Sequence, residues 1–115
     1  MHRDPAITDS DKYKVVFEND TVRVLEYKDK PGDKTTPHHH PNSVMYFFSS
    51  FKRCITANGK SVTVDGKEGT IAWLKEQEHI GENIGDTDTH VLLVELKRSI
   101  DSTQNHSALG PEKAL

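Results

Sequence analysis

Short apolar runs separated by turn residues fill the stretch from residue 15 to residue 97, and this pattern restricts the possible folds most strongly. The stretch contains roughly eight or nine candidate strands, many of them rich in β-branched and aromatic residues. No helical period appears within it. The dipeptide Asn58-Gly59, between two of the runs, is typical of a two-residue β-hairpin turn. The pattern predicts an all-β protein, built as a closed barrel or as a two-sheet sandwich.

The predicted strands form one central region, 15–97, with a polar segment at each end. We predict strands over residues 15–17, 21–27, 35–40, 44–48, 52–56, 61–64, 70–74, 79–84 and 90–97. Residues 1–14 are polar and without a period, so we expect an N-terminal arm outside the core. Residues 98–115 form a weakly apolar C-terminal tail, which either holds one helical turn near Ala108 or remains loose. The length of 115 residues fits a single domain.

Histidines carry the clearest functional signal in the chain. His38 and His40 are two residues apart on a predicted strand, so their side chains point to the same face, whereas His39 points to the other. Neutral imidazole is a common ligand of first-row transition metals. A third imidazole, from His79 on a later strand, would complete a three-ligand metal site. A polar surface strand that happens to carry histidines has the same spacing, so spacing alone leaves both interpretations open.

With these strands and histidines in place, the central region resembles the cupins, which are small jelly-roll barrels with a double-stranded β-helix fold. The first cupin motif, a glycine followed after five residues by His-x-His, matches Gly32 and His38–His40. The second motif matches Gly69, the strand and turn that follow it, His79 and Asn83. The resemblance implies a jelly-roll fold in which His38, His40 and His79 bind a metal.

The chain departs from the cupin motifs at three places. Val44 stands where the family has a metal-binding glutamate, Phe51 stands where it has a glycine, and residues 75–77 replace a Pro-x-Gly turn. The loss of the glutamate points to a three-histidine site, with the amide oxygen of Asn42 as an alternative ligand nearby. The resemblance implies one divalent transition metal per chain, and the sequence leaves iron, zinc, nickel and manganese open.

A metal held by three neutral histidines keeps its full double charge, which attracts anionic groups such as carboxylates, enolates or thiolates. The resemblance to three-histidine iron cupins implies a dioxygenase that acts on a small anionic organic substrate, such as a thiol or a β-diketone. Two alternatives stay open. One is a metal-dependent isomerase or lyase, and the other is a cupin that binds a small ligand without turnover, because a fold alone does not determine chemistry.

Strand alternation also predicts which side chains line the site. If the strand that carries the first histidines continues past Pro41 without a bulge, alternation directs Val44, Tyr46 and Phe48 toward the face of His38 and His40. Tyr46 becomes a candidate catalytic residue, because its hydroxyl could hydrogen-bond a substrate, with ordinary barrel filling as the alternative. Trp73 is expected to pack in the core or to cap the pocket.

Charge, hydropathy and cysteine content restrict the partners and the compartment. The net charge is −3 with histidine neutral, and no basic run with interleaved aromatics occurs, so we expect no nucleic-acid partner. No stretch of about eighteen apolar residues occurs, so we expect no membrane partner. Cys54 is the only cysteine and the N-terminus lacks a signal-peptide pattern, which predicts a cytoplasmic protein. We expect a small-molecule ligand and a homodimer in which residues 15–17 pair with a neighbour's sheet edge.

Overall fold

A computed structural model describes residues 3–98 and 110–113, and nearly all of its regular structure is β-strand. The elements, in chain order, are α1 (Pro5–Thr8), β1 (Tyr13–Glu18), β2 (Val22–Asp29), β3 (His38–His40), β4 (Ser43–Phe47), β5 (Phe51–Ala57), β6 (Lys60–Gly66), β7 (Ile71–Leu74), β8 (Gln77–Asn83), β9 (Thr89–Leu96) and β10 (Pro111–Lys113). The prediction of an all-β protein is confirmed. No helix in the described ranges combines the length and the apolar character that crossing a membrane requires.

The strands form two antiparallel sheets. One sheet has the order β1-β2-β9-β4-β7-β10, and the other has the order β3-β8-β5-β6. Because side chains alternate along each strand, one face of each sheet turns inward, and the inward side chains form a single core. The buried apolar members of this core are Tyr13, Leu25, Tyr27, Met45, Phe47, Phe51, Ala72, Leu74, Val91 and Leu93.

The β5–β6 hairpin turns at the predicted dipeptide. Ala57 pairs with Lys60, which leaves Asn58 and Gly59 as the two turn residues. Both have a positive φ, 52° at Asn58 and 76° at Gly59. Asparagine and glycine adopt this left-handed conformation at the lowest cost, so the local sequence determines where this hairpin closes.

The N-terminal segment is part of the barrel, so the prediction of an arm outside the core was wrong for its described part. Pro5, Asp9 and Tyr13 are all buried. Asp4 caps α1 by accepting a hydrogen bond from the amide of Ala6. The segment looked like an arm because its polar side chains are used in hydrogen bonds within the fold, which leaves no apolar period to detect.

The C-terminal segment also returns to the barrel. Strand β10 pairs antiparallel with β7, with Pro111 opposite Leu74 and Lys113 opposite Ala72. Part of the predicted tail is therefore a strand at the edge of the six-stranded sheet. The predicted helical turn near Ala108 lies outside the described residues.

Strand alternation does not continue from β3 into β4, which corrects the predicted lining of the site. Val44, Tyr46 and Phe48 are 38 %, 38 % and 42 % exposed, and they lie on the outer face of the six-stranded sheet. The chain leaves the four-stranded sheet after His40 and joins the other sheet at Ser43. Both of these residues point inward although they are three positions apart, so the two intervening residues shift the alternation by one. Trp73 is half-buried on the same outer face, paired with Val44, and neither fills the core nor caps the cavity.

Candidate metal centre

The two-sheet fold brings together the three histidines that the sequence singled out. His38 and His40 lie on β3, and His79 lies on the neighbouring strand β8, where it pairs directly with His38. All three side chains are buried. One ring nitrogen from each lies within 4.8 Å of the others. Imidazole nitrogens bind a metal at about 2.1 Å, so the three rings would move toward one another on binding an ion.

Hydrogen bonds on the far side of two rings orient them toward a common point. Nδ1 of His38 lies 2.9 Å from the carbonyl oxygen of Thr36, and Nδ1 of His79 lies 2.6 Å from Oε1 of Gln77. Both partners are acceptors, so each Nδ1 carries the proton and each Nε2 keeps its lone pair for a metal. The Asp9 carboxylate, 3.3 Å from Nδ1 of His38, supports the same tautomer.

Gln77 is itself positioned by the returning C-terminal segment. Its Oε1 also accepts a hydrogen bond of 2.9 Å from the amide of Gly110. Gly110 has a φ of +79°, a conformation that favours glycine. The segment that enters β10 therefore helps to hold the partner of His79.

His40 faces a buried carboxylate that the sequence analysis did not select. Nδ1 of His40 lies 3.8 Å from Oε2 of Glu95, and neither atom has a hydrogen-bond partner. The other oxygen of Glu95 accepts a hydrogen bond of 2.8 Å from Nε of Arg23. A metal at Nε2 of His40 would keep the proton on Nδ1, facing the carboxylate, which is the usual outer arrangement around a metal-binding histidine. The two unpartnered atoms therefore fit a metal at this site.

Burial determines the charge state of the histidine cluster. It holds the pKa of His38 below the usual value, with the Asp9 carboxylate acting in the opposite direction. It holds the pKa values of His40 and His79 well below the usual value, and the neighbouring histidines add to this shift. The rings are therefore neutral at neutral pH, which is the state that binds metals.

Tyr13 brings a hydroxyl group to the same cluster. Its oxygen lies 3.3 Å from Nε2 of His40 and 3.5 Å from Nε2 of His38. Burial raises the pKa of Tyr13 far above the usual value for a phenol, so the group is a neutral hydrogen-bond donor. The sequence analysis missed it because it assigned residues 1–14 to an arm.

The cluster lies at the wall of an interior cavity. The centre of a water molecule can move through about 50 Å³ of it. The side chains of Tyr13, Arg53, Thr35 and Thr89 contribute polar groups to the lining. The apolar part of the wall is formed by Met45, Phe51, Ile55, Leu74, Val91 and Leu93. The cavity is mostly apolar with a few polar groups, as ligand sites are.

The remaining candidates from the sequence lie outside the cavity. His39 points away from the cluster, as predicted, and its Nε2 lies 3.0 Å from Oε2 of Glu76. Glu76 therefore contacts this outward histidine and not a member of the cluster. Tyr46 is on the outer face of β4, so the prediction that it faces the metal was wrong, and so was the same prediction for Val44.

Two charged residues of the site had a detectable sequence signal. Glu95 follows Val91 and Leu93 at the same alternation along β9, and all three are buried. Arg53 stands between Phe51 and Ile55 at the same alternation along β5. A charged residue at an inward position of an otherwise apolar strand is expensive unless it has a partner, so such a residue is a candidate for function.

Comparison with known proteins supports the fold. No protein-family model matches the chain, and no curated protein matches it. The crystal structure of a cupin domain from Bordetella pertussis Tohama I has a TM-score of 0.70 and 27 % identity, over 85 % of this chain and 99 % of that one. An uncharacterised conserved protein with a double-stranded β-helix domain from Klebsiella pneumoniae has a TM-score of 0.58 and 20 % identity, over 89 % and 84 %.

A third solved structure shares the fold at greater distance. The polyketide cyclase RemF from Streptomyces resistomycificus has a TM-score of 0.55 and 15 % identity, over 75 % of this chain and 64 % of that one. At this identity the likeness concerns the fold and not the activity. The two sheets, the pairing of the histidine strands and these solved structures show that the chain has the double-stranded β-helix fold of the cupin structures it resembles.

Proposed function

We propose that this cupin binds one divalent transition metal through His38, His40 and His79 and uses it on a small anionic organic molecule. The observation that carries the proposal is the convergence of three buried, neutral imidazoles, with ring nitrogens within 4.8 Å of one another, at the wall of a cavity. Tyr13 lies at the same cluster, and Glu95 lies behind His40.

Because the three histidines are neutral, a divalent metal held by them would favour anionic molecules over neutral ones. A divalent metal at this site would supply Lewis acidity and, if redox-active, electron transfer. The chain itself provides the hydroxyl of Tyr13, which can donate a hydrogen bond to an anionic atom beside the histidines. The apolar wall keeps bulk water from competing for that atom.

The specific activity that we propose is oxygen-dependent oxidation of a thiol, a β-diketone or a similar small acid by an iron-loaded form. Three histidines on one side of a metal leave several coordination positions for a substrate and a co-substrate. A metal-dependent isomerase or lyase, or a binding protein without turnover, uses the same residues and differs in the metal and in the need for oxygen.

Metal analysis followed by oxygen consumption tests the proposal. Elemental analysis of the purified protein should give one transition metal per chain. Protein loaded with ferrous iron under anaerobic conditions should then consume oxygen with at least one member of a panel of small thiols, β-diketones and 2-oxo acids. The matched control is His79→Ala, which should do neither.

The outcomes separate the candidate functions. Turnover without oxygen would assign the protein to the isomerases or lyases. Metal binding with no turnover across the panel would favour a binding protein. Full metal occupancy in His79→Ala would contradict the assignment of the site itself.

A further inference from the structure

Among the described residues that line the interior cavity, Arg53 is the only one with a permanent positive charge. Arg53 is buried on β5 and contributes to the lining together with the three histidines. No aspartate or glutamate is among the described residues of that lining. The polar groups that the cavity presents to a ligand are therefore hydroxyls, imidazoles and one guanidinium.

The counter-ion of Arg53 is Asp29, which does not line the cavity. Nη1 of Arg53 donates hydrogen bonds to Oδ2 of Asp29 and, at 3.0 Å, to Oγ1 of Thr89. The Asp29 carboxylate also accepts hydrogen bonds from the hydroxyl of Tyr27 and, at 3.0 Å, from Nδ2 of Asn83. Asp29 is not among the residues that line the cavity, and both of its carboxylate oxygens already accept hydrogen bonds.

The guanidinium keeps donors for a ligand. Besides the two bonds from Nη1, Nη2 donates a bond of 3.1 Å to the hydroxyl of Tyr27. A guanidinium has five N–H groups, so about two remain after these contacts. They form part of a planar fork that matches the two oxygens of a carboxylate.

Gly81 seats the guanidinium close to the histidine cluster. A Cβ atom at position 81 would lie 2.8 Å from Nη2 of Arg53, so the missing side chain makes room for the guanidinium. Gly81 follows His79 by two residues on the inward face of β8. Alternate residues on a strand are about 6.6 Å apart, so a ligand of a few heavy atoms can reach both groups.

We propose that Arg53 is a second anchor in the cavity and that the ligand is a short organic acid. Its carboxylate binds the guanidinium while its other end lies at the histidine cluster. The contact at the histidine cluster rests on the proposed function. The contact with Arg53 does not, because it does not require a metal. Arg53 acts here as a specificity residue and takes no part in bond making.

The first experiment uses the metal-free protein, with propionate and propionamide as probes of equal size and different charge. Isothermal titration calorimetry should show propionate binding at least about tenfold more tightly, because a hydrogen bond between charged groups is worth more than a neutral one. The double variant Arg53→Met with Asp29→Asn removes the pair without leaving a buried charge, and it should lose the preference. The control Lys52→Met removes an exposed positive charge one residue away and should keep the preference for propionate.

A second variant protects the test against a folding defect. Gly81→Ala keeps both charges and displaces the guanidinium, so it should reduce the preference for propionate while circular dichroism stays unchanged. Equal binding of the two probes, no binding of either, or a preference that survives in both variants would overturn the anchor.

The second experiment uses the zinc-loaded protein, with mercaptoacetate and 2-mercaptoethanol as probes that share a thiol and differ in a carboxylate. Mercaptoacetate should bind more tightly, and the double variant should bind the two probes equally while still binding zinc. Failure to bind zinc together with a retained preference for propionate would contradict the proposed function and leave the anchor standing. Zinc binding with no discrimination between the thiols would overturn the anchor and leave the metal site standing.

Discussion

The carboxylate of Glu95 lies 3.8 Å from Nδ1 of His40, and both facing atoms are buried without a hydrogen-bond partner. Burial raises the pKa of Glu95 above the usual value, and the Arg23 guanidinium acts in the opposite direction. Buried polar atoms without hydrogen bonds cost stability. If Nδ1 of His40 and Oε2 of Glu95 moved closer together, a hydrogen bond could form between them. A metal on the other nitrogen of His40 would provide the reason for that approach, because it would keep a proton on Nδ1.

Glu95→Gln should therefore weaken metal binding. The amide keeps an oxygen for Arg23 but turns an N–H group toward the N–H of His40, so the two donors oppose each other. We expect the metal affinity to fall by about 10- to 100-fold, measured by competition with a chromogenic chelator. Glu82→Gln, on the outward side of β8, is the control and should keep the wild-type affinity. An unchanged affinity in Glu95→Gln would contradict this role.

The histidines themselves should divide into ligands and a non-ligand. His38→Ala, His40→Ala and His79→Ala should each lose the metal, because each removes one of three converging nitrogens. His39→Ala should retain it, since that ring contacts Glu76 on the outside. Elemental analysis after dialysis measures the stoichiometry. Loss of metal in His39→Ala alone would show that the assignment of faces is wrong.

The ion pair between Asp4 and Arg23 should make the free energy of unfolding depend on pH. Asp4 accepts two hydrogen bonds of 2.8 Å from Arg23, and these contacts hold the pKa of Asp4 below its usual value. The unfolded chain therefore binds the proton more readily, so the stabilisation is present above the unfolded pKa of about 3.9 and is lost as the pH falls through the folded value.

Asp4→Asn is the corresponding variant. We expect it to lower the free energy of unfolding by about 1 kcal/mol at pH 7, with a smaller difference from wild type at pH 3. Urea unfolding at the two pH values measures this difference. Asp20→Asn, at an exposed turn, should be neutral. A difference that grew on acidification would contradict the sign of the pKa shift.

The outer face of the six-stranded sheet should be the dimer interface of a homodimer. Val24, Val94, Val44 and Trp73 are paired in register across four strands and form a continuous apolar row. Residues 15–17 lie on β1, which pairs with β2 and forms one edge of the six-stranded sheet, so the predicted pairing of these residues with a neighbour's sheet edge stays a second prediction. We expect light scattering to give about twice the mass of 13.0 kDa at micromolar concentration.

A matched pair of variants tests this interface. Val44→Asp should give a monomer, because it places a charge in the apolar row. Val62→Asp should remain a dimer, because Val62 has nearly the same exposure, 37 % against 38 %, but lies on the other sheet. A wild-type protein that is monomeric, or two variants that behave alike, would refute the interface.

Local sequence determined most of the elements of this fold. Asn58 and Gly59 adopt the left-handed conformations that close a two-residue turn, and no distant contact is needed for that. Alternation along β3 and β8 correctly directs His38 and His40 to one face and His39 to the other. The spacing of His38 and His40 together with the two cupin-like motifs was sufficient to select the cluster with His79, because strand geometry is local and regular.

Tertiary structure decided which residues surround that cluster. Alternation predicts that neighbours along a strand face opposite sides, but which side becomes the core depends on the sheet that the strand joins. The change of sheet between His40 and Ser43 therefore turned Tyr46 outward, against the prediction. Tyr13 and Arg53 reach the cavity through long-range pairing, which sequence spacing alone does not encode. The chain thus specifies its strands and the direction of its histidines locally, whereas the polar groups around the histidine cluster are selected only when the two sheets pack.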